Sequence, residues 1–340
     1  MKDMKKEKSA HMTTLTSPHD LLAAVPFLIG YHPKNSIVLI AITEGSLGMA
    51  MRIDYPEEVD LDQIDTLANH LLQQKAEAAL VVAYVPDTIF ETEYLLHPIR
   101  EAIAMRQIDL RECLVVRGDR WKSSICADEG CCPPEGNPLP ALIDSRIAAE
   151  QVALGRPLPF ESMDSLRNSL ATVENAEITE QIQNINEIDY EGGQVLELQR
   201  EGALALNEFA DEFERVGIVK SSALITLVLV RLKDLQVRDY ALGITTGENI
   251  STVWSMWRWL LTIAPQGYVA PVATIFAAIC YEEGDGLLAQ KALDRAFEDD
   301  TKYPLAKLLR RCFSAGWPPQ TFVSMRAELH PKICASLFGE

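Results

Sequence analysis

What the sequence lacks is positive charge, a long apolar run and any glycine-rich phosphate loop, and each shortage closes a class of function. Lysine and arginine together number 31 against 49 acids, a formal charge of −18. Such a field repels phosphate backbones and anionic lipid headgroups, so nucleic acid and the membrane surface are poor partners. The apolar stretch 21–30 is interrupted by Pro26 and separated from 36–42 by His32-Pro33-Lys34-Asn35, and 222–232 is also short. None approaches the roughly 20 residues that span a bilayer, and no export signal is recognised. No Gly-x-Gly-x-x-Gly or Walker-type loop follows any strand-like segment, which argues against the usual dinucleotide and P-loop sites. The 7 cysteines are an odd number in a chain of this size, which points to a reducing compartment, the cytoplasm, rather than a disulfide scaffold.

What is present suits two packed domains. A chain of 340 residues, 48% hydrophobic and 24% charged, exceeds one ordinary core and carries enough apolar surface to build two. The basic run within residues 1–12, Lys2 to Lys8, reads as a disordered, solvated tail or as an upstream extension of a chain starting at Met12. Residues 13–140 read as an α/β domain with a mixed, mostly parallel sheet and flanking helices. Ser17 caps a short helix that closes at Pro26 or Gly30. The β-branched runs 36–42, 79–85 and 112–116 are strands, and 49–54 forms a hairpin with the first of them. Asp60 and Gln63 resemble a capping box before an amphipathic helix, and a further helix covers 98–106. Residues 141–340 read as an all-α helical domain, with 177–193, which contains Gly192-Gly193, as a flexible connection or a short amphipathic helix. In the helix around 253–264, Trp259 either packs centrally or faces a partner. The segments 273–283 and 287–297, joined at Gly284-Asp285-Gly286, form a tetratricopeptide-like hairpin, although three well-formed repeats are not found.

Two sets of residues carry the candidate chemistry. If the strands are parallel, a cleft beyond their carboxyl ends would gather Asp87, Arg117, Asp119 and Arg120 around a polar or anionic small molecule; the plainer reading is a solvated charged turn. The loop that follows holds Cys126, Cys131 and Cys132 among four acids, three prolines and two glycines. Three soft ligands suggest zinc, yet Cys-x4-Cys-Cys is not the Cys-x2-Cys of a zinc knuckle. A reactive thiol, a transient disulfide and plain buried packing are the other readings, and packing is the simplest. Cys113, Cys280, Cys312 and Cys334 read as packing residues.

The run Leu21-Leu22-Ala23-Ala24-Val25-Pro26-x-Leu28-x-Gly30-Tyr31-His32-Pro33-x-x-Ser36-Ile37-Val38 resembles the opening of an uncharacterised, mostly actinobacterial family, domain of unknown function 4192. Arg120-Trp121, Ser124, Cys126, Asp128, Cys131-Cys132-Pro133 and Glu135-Gly136-Asn137-Pro138 match that family's cysteine loop, and Gly284-Asp285-Gly286 matches its helical hairpin. The resemblance implies the two-part layout and brings no activity, substrate or catalytic residue. Three functions therefore stand open. The favoured one is a non-enzymatic cytosolic adaptor or ligand-binding protein for a protein or small molecule. The others are a thiol- or zinc-dependent enzyme and a structural subunit of a larger assembly.

Overall fold

The computed structural model describes residues 15–141, 144–153 and 157–339, so the basic tail at 1–12 lies outside the described residues. The chain divides into two compact units, Met1–Met163 and Asp164–Glu340. The first runs α1 (Pro18–Ile29), β1 (Ser36–Thr43), β2 (Ser46–Asp54), α2 (Leu61–Gln73), β3 (Ala78–Tyr84), α3 (Glu93–Met105), β4 (Asp109–Arg117), β5 (Arg120–Ser123), β6 (Asn137–Pro138) and α4 (Arg146–Ala153). One sheet of order β2-β1-β3-β4-β5-β6 unites the strands.

The sheet is mixed but not mostly parallel. Only β3 and β4 pair in parallel; the other four pairings are antiparallel. The cause lies at the turns. Glu44 and Gly45 both take positive φ, the two-residue hairpin geometry whose twist matches that of its strands. Gly118 (φ +57°) opens a second two-residue turn, which sends β5 back along β4. The crossover through α2 then places β3 beside β1 instead of beside β2.

Side-chain alternation divides the strands between two faces. Ile37, Leu39, Ala41, Val81, Ala83, Cys113 and Val115 meet Ile64, Leu67, Leu71, Leu96, Ile99 and Ile103 of α2 and α3 in one core cluster. Asp60 caps α2 as its sequence suggests, accepting from the Gln63 amide at 3.0 Å. The opposite face carries α1 and α4. Helix α1 continues through Pro26 and stops at Gly30, whose φ of +80° no longer suits a helix. On this face the register aligns one row across all six strands: Asp54, Ser36, Tyr84, Val116, Trp121 and Asn137. That row contains residues of both motifs singled out above.

The first unit extends past residue 140, where the sequence suggests a boundary. Helix α4 packs Ile147 on Ala23 and Ala24 of α1, and Arg146 pairs with Asp20 at 3.1 Å. Those contacts make it part of the α/β unit.

The second unit is helix-rich: α5 (Met163–Asn168), α6 (Ala176–Ile182), α7 (Val195–Val216), α8 (Ser222–Arg231), α9 (Leu235–Gly243), α10 (Ile250–Ile263), α11 (Val269–Glu282), α12 (Gly286–Asp299), α13 (Pro304–Ser314) and α14 (Pro319–Phe338). Helix α11 is apolar all round, and Val269 through Cys280 are buried, which is the pattern of a central helix. Asp285 caps α12 by accepting from the Leu288 amide at 2.9 Å. The stretch 177–193 is not a free connection. It contains α6, whose Ile178 and Ile182 are buried, and its remainder is bonded to α8 and the turn after it. Arg231 donates to Asn186 O at 2.8 Å, Tyr190 donates to Asp234 Oδ2 at 2.7 Å, and Lys233 pairs with Glu187. Among the described residues no helix is long and apolar enough to cross a membrane.

Two positions on α3 test the assignment of its buried face. Leu96→Ala, at a fully buried site, is expected to lower unfolding free energy by about 2–5 kcal/mol. Met105→Ala, 81% exposed on the same helix, should change it by less than about 0.5 kcal/mol. Urea denaturation measures both.

Candidate functional site

The cysteine loop is built outward from β5. On this strand Trp121 turns toward α1 and is 3% exposed. Its ring meets His19 edge-on at 5.2 Å, and its indole N–H donates to Pro138 O at 3.1 Å. Ser123 donates to Glu112 Oε1 at 2.6 Å and the Ser124 amide to Cys113 O at 2.8 Å. The chain then leaves the sheet, makes the loop and returns as β6 alongside β5. Because β5 runs back along β4, the loop starts from the lateral edge of the sheet, away from the carboxyl ends of β3 and β4. Its return strand β6, however, pairs with Arg120 and Trp121, level with Val116 and Arg117 at the carboxyl end of β4, so one flank of the loop borders the strand-end set.

Backbone hydrogen bonds give the loop its shape. The Asp128 carboxylate accepts from Gly130 N at 2.8 Å, while its carbonyl accepts from both Cys131 N at 3.1 Å and Cys132 N at 2.7 Å. Asn137 donates to Cys131 O at 2.9 Å, and Arg120 donates to Gly136 O at 2.7 Å. Gly136 has φ +78°, and a Cβ there would lie 2.9 Å from Trp121 O, so both conformation and space call for glycine. These bonds fold the chain back on itself between Cys126 and Cys132. The sulfurs of Cys126, Cys131 and Cys132 lie within 4.8 Å of one another.

That arrangement corrects the packing reading for these three. Cys131 is exposed and Cys126 and Cys132 are half-buried, all as free thiols. The Cys131 pKa is pushed up to about 11, first by its hydrogen bond with the Cys132 thiol and then by the charges that Cys132 and Cys126 would carry. Three adjacent thiolates repel each other, and a cation among them removes that penalty. Zinc–sulfur bonds of about 2.3 Å place tetrahedral sulfurs roughly 3.8 Å apart, so a closure of about 1 Å or less would seat the ion. Among the described residues the ligand group comprises these three sulfurs alone. Asp128 is occupied by its turn, His19 lies on Trp121, and His97 pairs with Glu101 at 3.4 Å.

Cys113, Cys280 and Cys312 are buried, and burial raises all three thiols. Cys334 is half-buried, with its sulfur 3.5 Å from His330 Nε2.

The strand-end set does not converge. Asp87, Asp119 and Arg120 are exposed and Arg117 is half-buried. Arg117 donates to Phe90 O at 3.2 Å, Arg120 serves the cysteine loop, and the Asp119 carbonyl accepts from Leu139 N at 2.7 Å. Among the described residues no ion pair joins any two of the four. Trp259 is half-buried against Phe209 and Phe213, at ring distances of 6.0 and 5.8 Å, which makes it a packing residue of α7 and α10 more than an open anchor. The sequence reading missed Asn137 as a clamp of the loop; the signal available was Glu135-Gly136-Asn137-Pro138, where a left-handed glycine precedes a strand-edge proline.

The family model described as Domain of unknown function (DUF4192) matches residues 18–320. The chain belongs to this family. The match covers the α/β unit, the cysteine loop and most of the helix-rich unit of this DUF4192 protein. No curated protein and no solved structure matches it.

The raised thiol has a kinetic consequence. In reduced, metal-free protein Cys131 is expected to alkylate more slowly than free cysteine at pH 8, gaining rate until the pH passes about 11. Mass-spectrometric labelling across that range measures this, and parity with free cysteine at pH 8 would contradict it.

Proposed function

We propose that this DUF4192 protein is a non-enzymatic ligand-binding protein whose ligand is a thiophilic metal ion, zinc first, held by Cys126, Cys131 and Cys132. The observation that carries the proposal is the mutual approach of the three sulfurs within 4.8 Å, on a loop shaped by backbone hydrogen bonds that require no metal. Preformed geometry reduces the ordering cost of binding, and a soft cation relieves the repulsion among the thiolates. The acidic chain adds a long-range attraction for cations.

A specific observation favours the zinc-dependent enzyme as the second reading. Three protein ligands with an exposed Cys131 leave the fourth position toward solvent, as in sites where zinc binds water or substrate. The abundance of free thiols supports the reducing cytoplasm, and the charge of −18 disfavours nucleic acid and anionic membranes. The α11–α12 hairpin, with Ala289 and Ala296 buried seven residues apart, supports a tetratricopeptide-like unit that would offer a groove to a peptide.

Elemental analysis of protein purified without chelator tests the metal. About one zinc per chain is expected, lost in Cys126→Ser and Cys131→Ser and retained in Cys334→Ser. Absence of zinc or any other soft metal from the wild type after reconstitution, with all thiols reduced, would overturn the proposal.

A further inference from the structure

Among the described residues the thiol cluster holds three sulfurs and no fourth ligand, and that shortage discriminates between the species it could bind. The sulfurs of Cys126, Cys131 and Cys132 lie within 4.8 Å of one another. The polar neighbours are committed elsewhere: the Asp128 carboxylate accepts from Gly130 N at 2.8 Å, Asn137 donates to Cys131 O at 2.9 Å, and Arg120 donates to Gly136 O at 2.7 Å. Glu129 and Glu135 are exposed. Zinc in such a set must draw its fourth ligand from solvent. Trivalent arsenic needs none, because it forms three bonds and keeps a lone pair in the fourth direction.

Charge and access point the same way. Arsenous acid is uncharged in neutral solution, so the formal charge of −18 does not repel it. The phosphate-like arsenate anion would meet that field. Cys131 is exposed for the first contact, and Cys126 and Cys132 are half-buried beside it. The loop's hydrogen bonds run through backbone groups and the side chains of Asp128, Asn137 and Arg120, so new bonds to sulfur displace none of them. A free thiol is mostly protonated near neutral pH. Zinc has to expel a proton for each sulfur it binds, whereas a hydroxyl on arsenic carries that proton away as water.

We propose that Cys126, Cys131 and Cys132 form a receptor for trivalent arsenicals, with arsenous acid as the simplest member. The inference rests on the same thiol cluster as the metal reading and adds a ligand class that is not a cation. Arsenous acid condenses with the three thiols: three As–O and three S–H bonds break, three As–S bonds form, and each thiol proton leaves with a hydroxyl as water. Arsenic stays trivalent and no sulfur is oxidised, so no further reactant enters. Once the first As–S bond has formed, the other two close within one molecule, and the proximity of the sulfurs becomes affinity.

Titration of the reduced, zinc-free full chain with sodium arsenite, read by intact mass and by alkylation of the thiols left free, tests the proposal. One arsenic per chain is expected, with Cys126, Cys131 and Cys132 protected together and Cys334 still labelled. Cys126→Ser, Cys131→Ser and Cys132→Ser should each weaken binding about a hundredfold or more, because each removes one of three linked bonds, whereas Cys334→Ser should bind as the wild type does. No arsenic on the wild type would overturn the proposal. So would one of the three loop variants binding as tightly as wild type, since two sulfurs would then suffice. Zinc measured on the same preparation separates this inference from the reading it rests on. Zinc bound without arsenic contradicts the arsenical alone, arsenic bound without zinc supports it and contradicts zinc, and binding of neither overturns both.

Discussion

The candidate site depends on the burial of one indole. Strands β5 and β6 contribute only 4 and 2 residues to the edge of the sheet, too little ladder to hold a loop unaided. Trp121 supplies what the hydrogen bonds lack. Its ring is enclosed on the α1 face beside His19, and its N–H reaches across to Pro138 O. Full burial of a side chain of this size is worth on the order of a few kcal/mol. Strand β6 can then lie against β5 in a single register, and the residues between the two strands close into a loop of fixed span.

Within that span, the loop's own backbone does the positioning. Asp128 accepts three amide hydrogens through its side chain and carbonyl, and Asn137 and Arg120 hold the two flanks. None of these bonds involves sulfur. The loop's own bonds therefore bring the thiols together, their mutual hydrogen bonding adds to this, and as thiolates they would repel. Cys131 therefore rests protonated, and a cation that displaces the proton removes the repulsion that the thiolates would otherwise meet, which is the physical content of the metal proposal.

The two motifs of the N-terminal unit were legible as patterns of composition, and the row they share was not. Ser36 and Trp121 lie 85 positions apart in sequence, and only the pairings β1–β3, β3–β4 and β4–β5 place them in one line across the sheet. The strands 36–42 and 79–85 could be read because β-branched runs buried on both faces leave an unmistakable apolar stretch, and Asp60 could be read because capping is local. Sheet direction could not, since chain order does not say beside which strand β3 will insert. Strand β5 was hidden because four residues with two charges resemble a turn. The stretch 177–193 looked like a linker because its polar and glycine content is local, whereas its ties to Arg231, Lys233 and Asp234 join positions more than 40 residues apart. The convergence of Cys126 with Cys131 and Cys132 follows from the same limit. The spacing gives no familiar metal signature, and the Asp128 turn that makes it work is visible only in three dimensions.

X-ray absorption at the zinc edge of the reconstituted protein tests the central claim most directly, because it counts the sulfurs around the ion. Three sulfur scatterers at about 2.3 Å with one lighter atom are predicted. A shell of nitrogen and oxygen alone, or one sulfur with the remainder light atoms, would contradict the account.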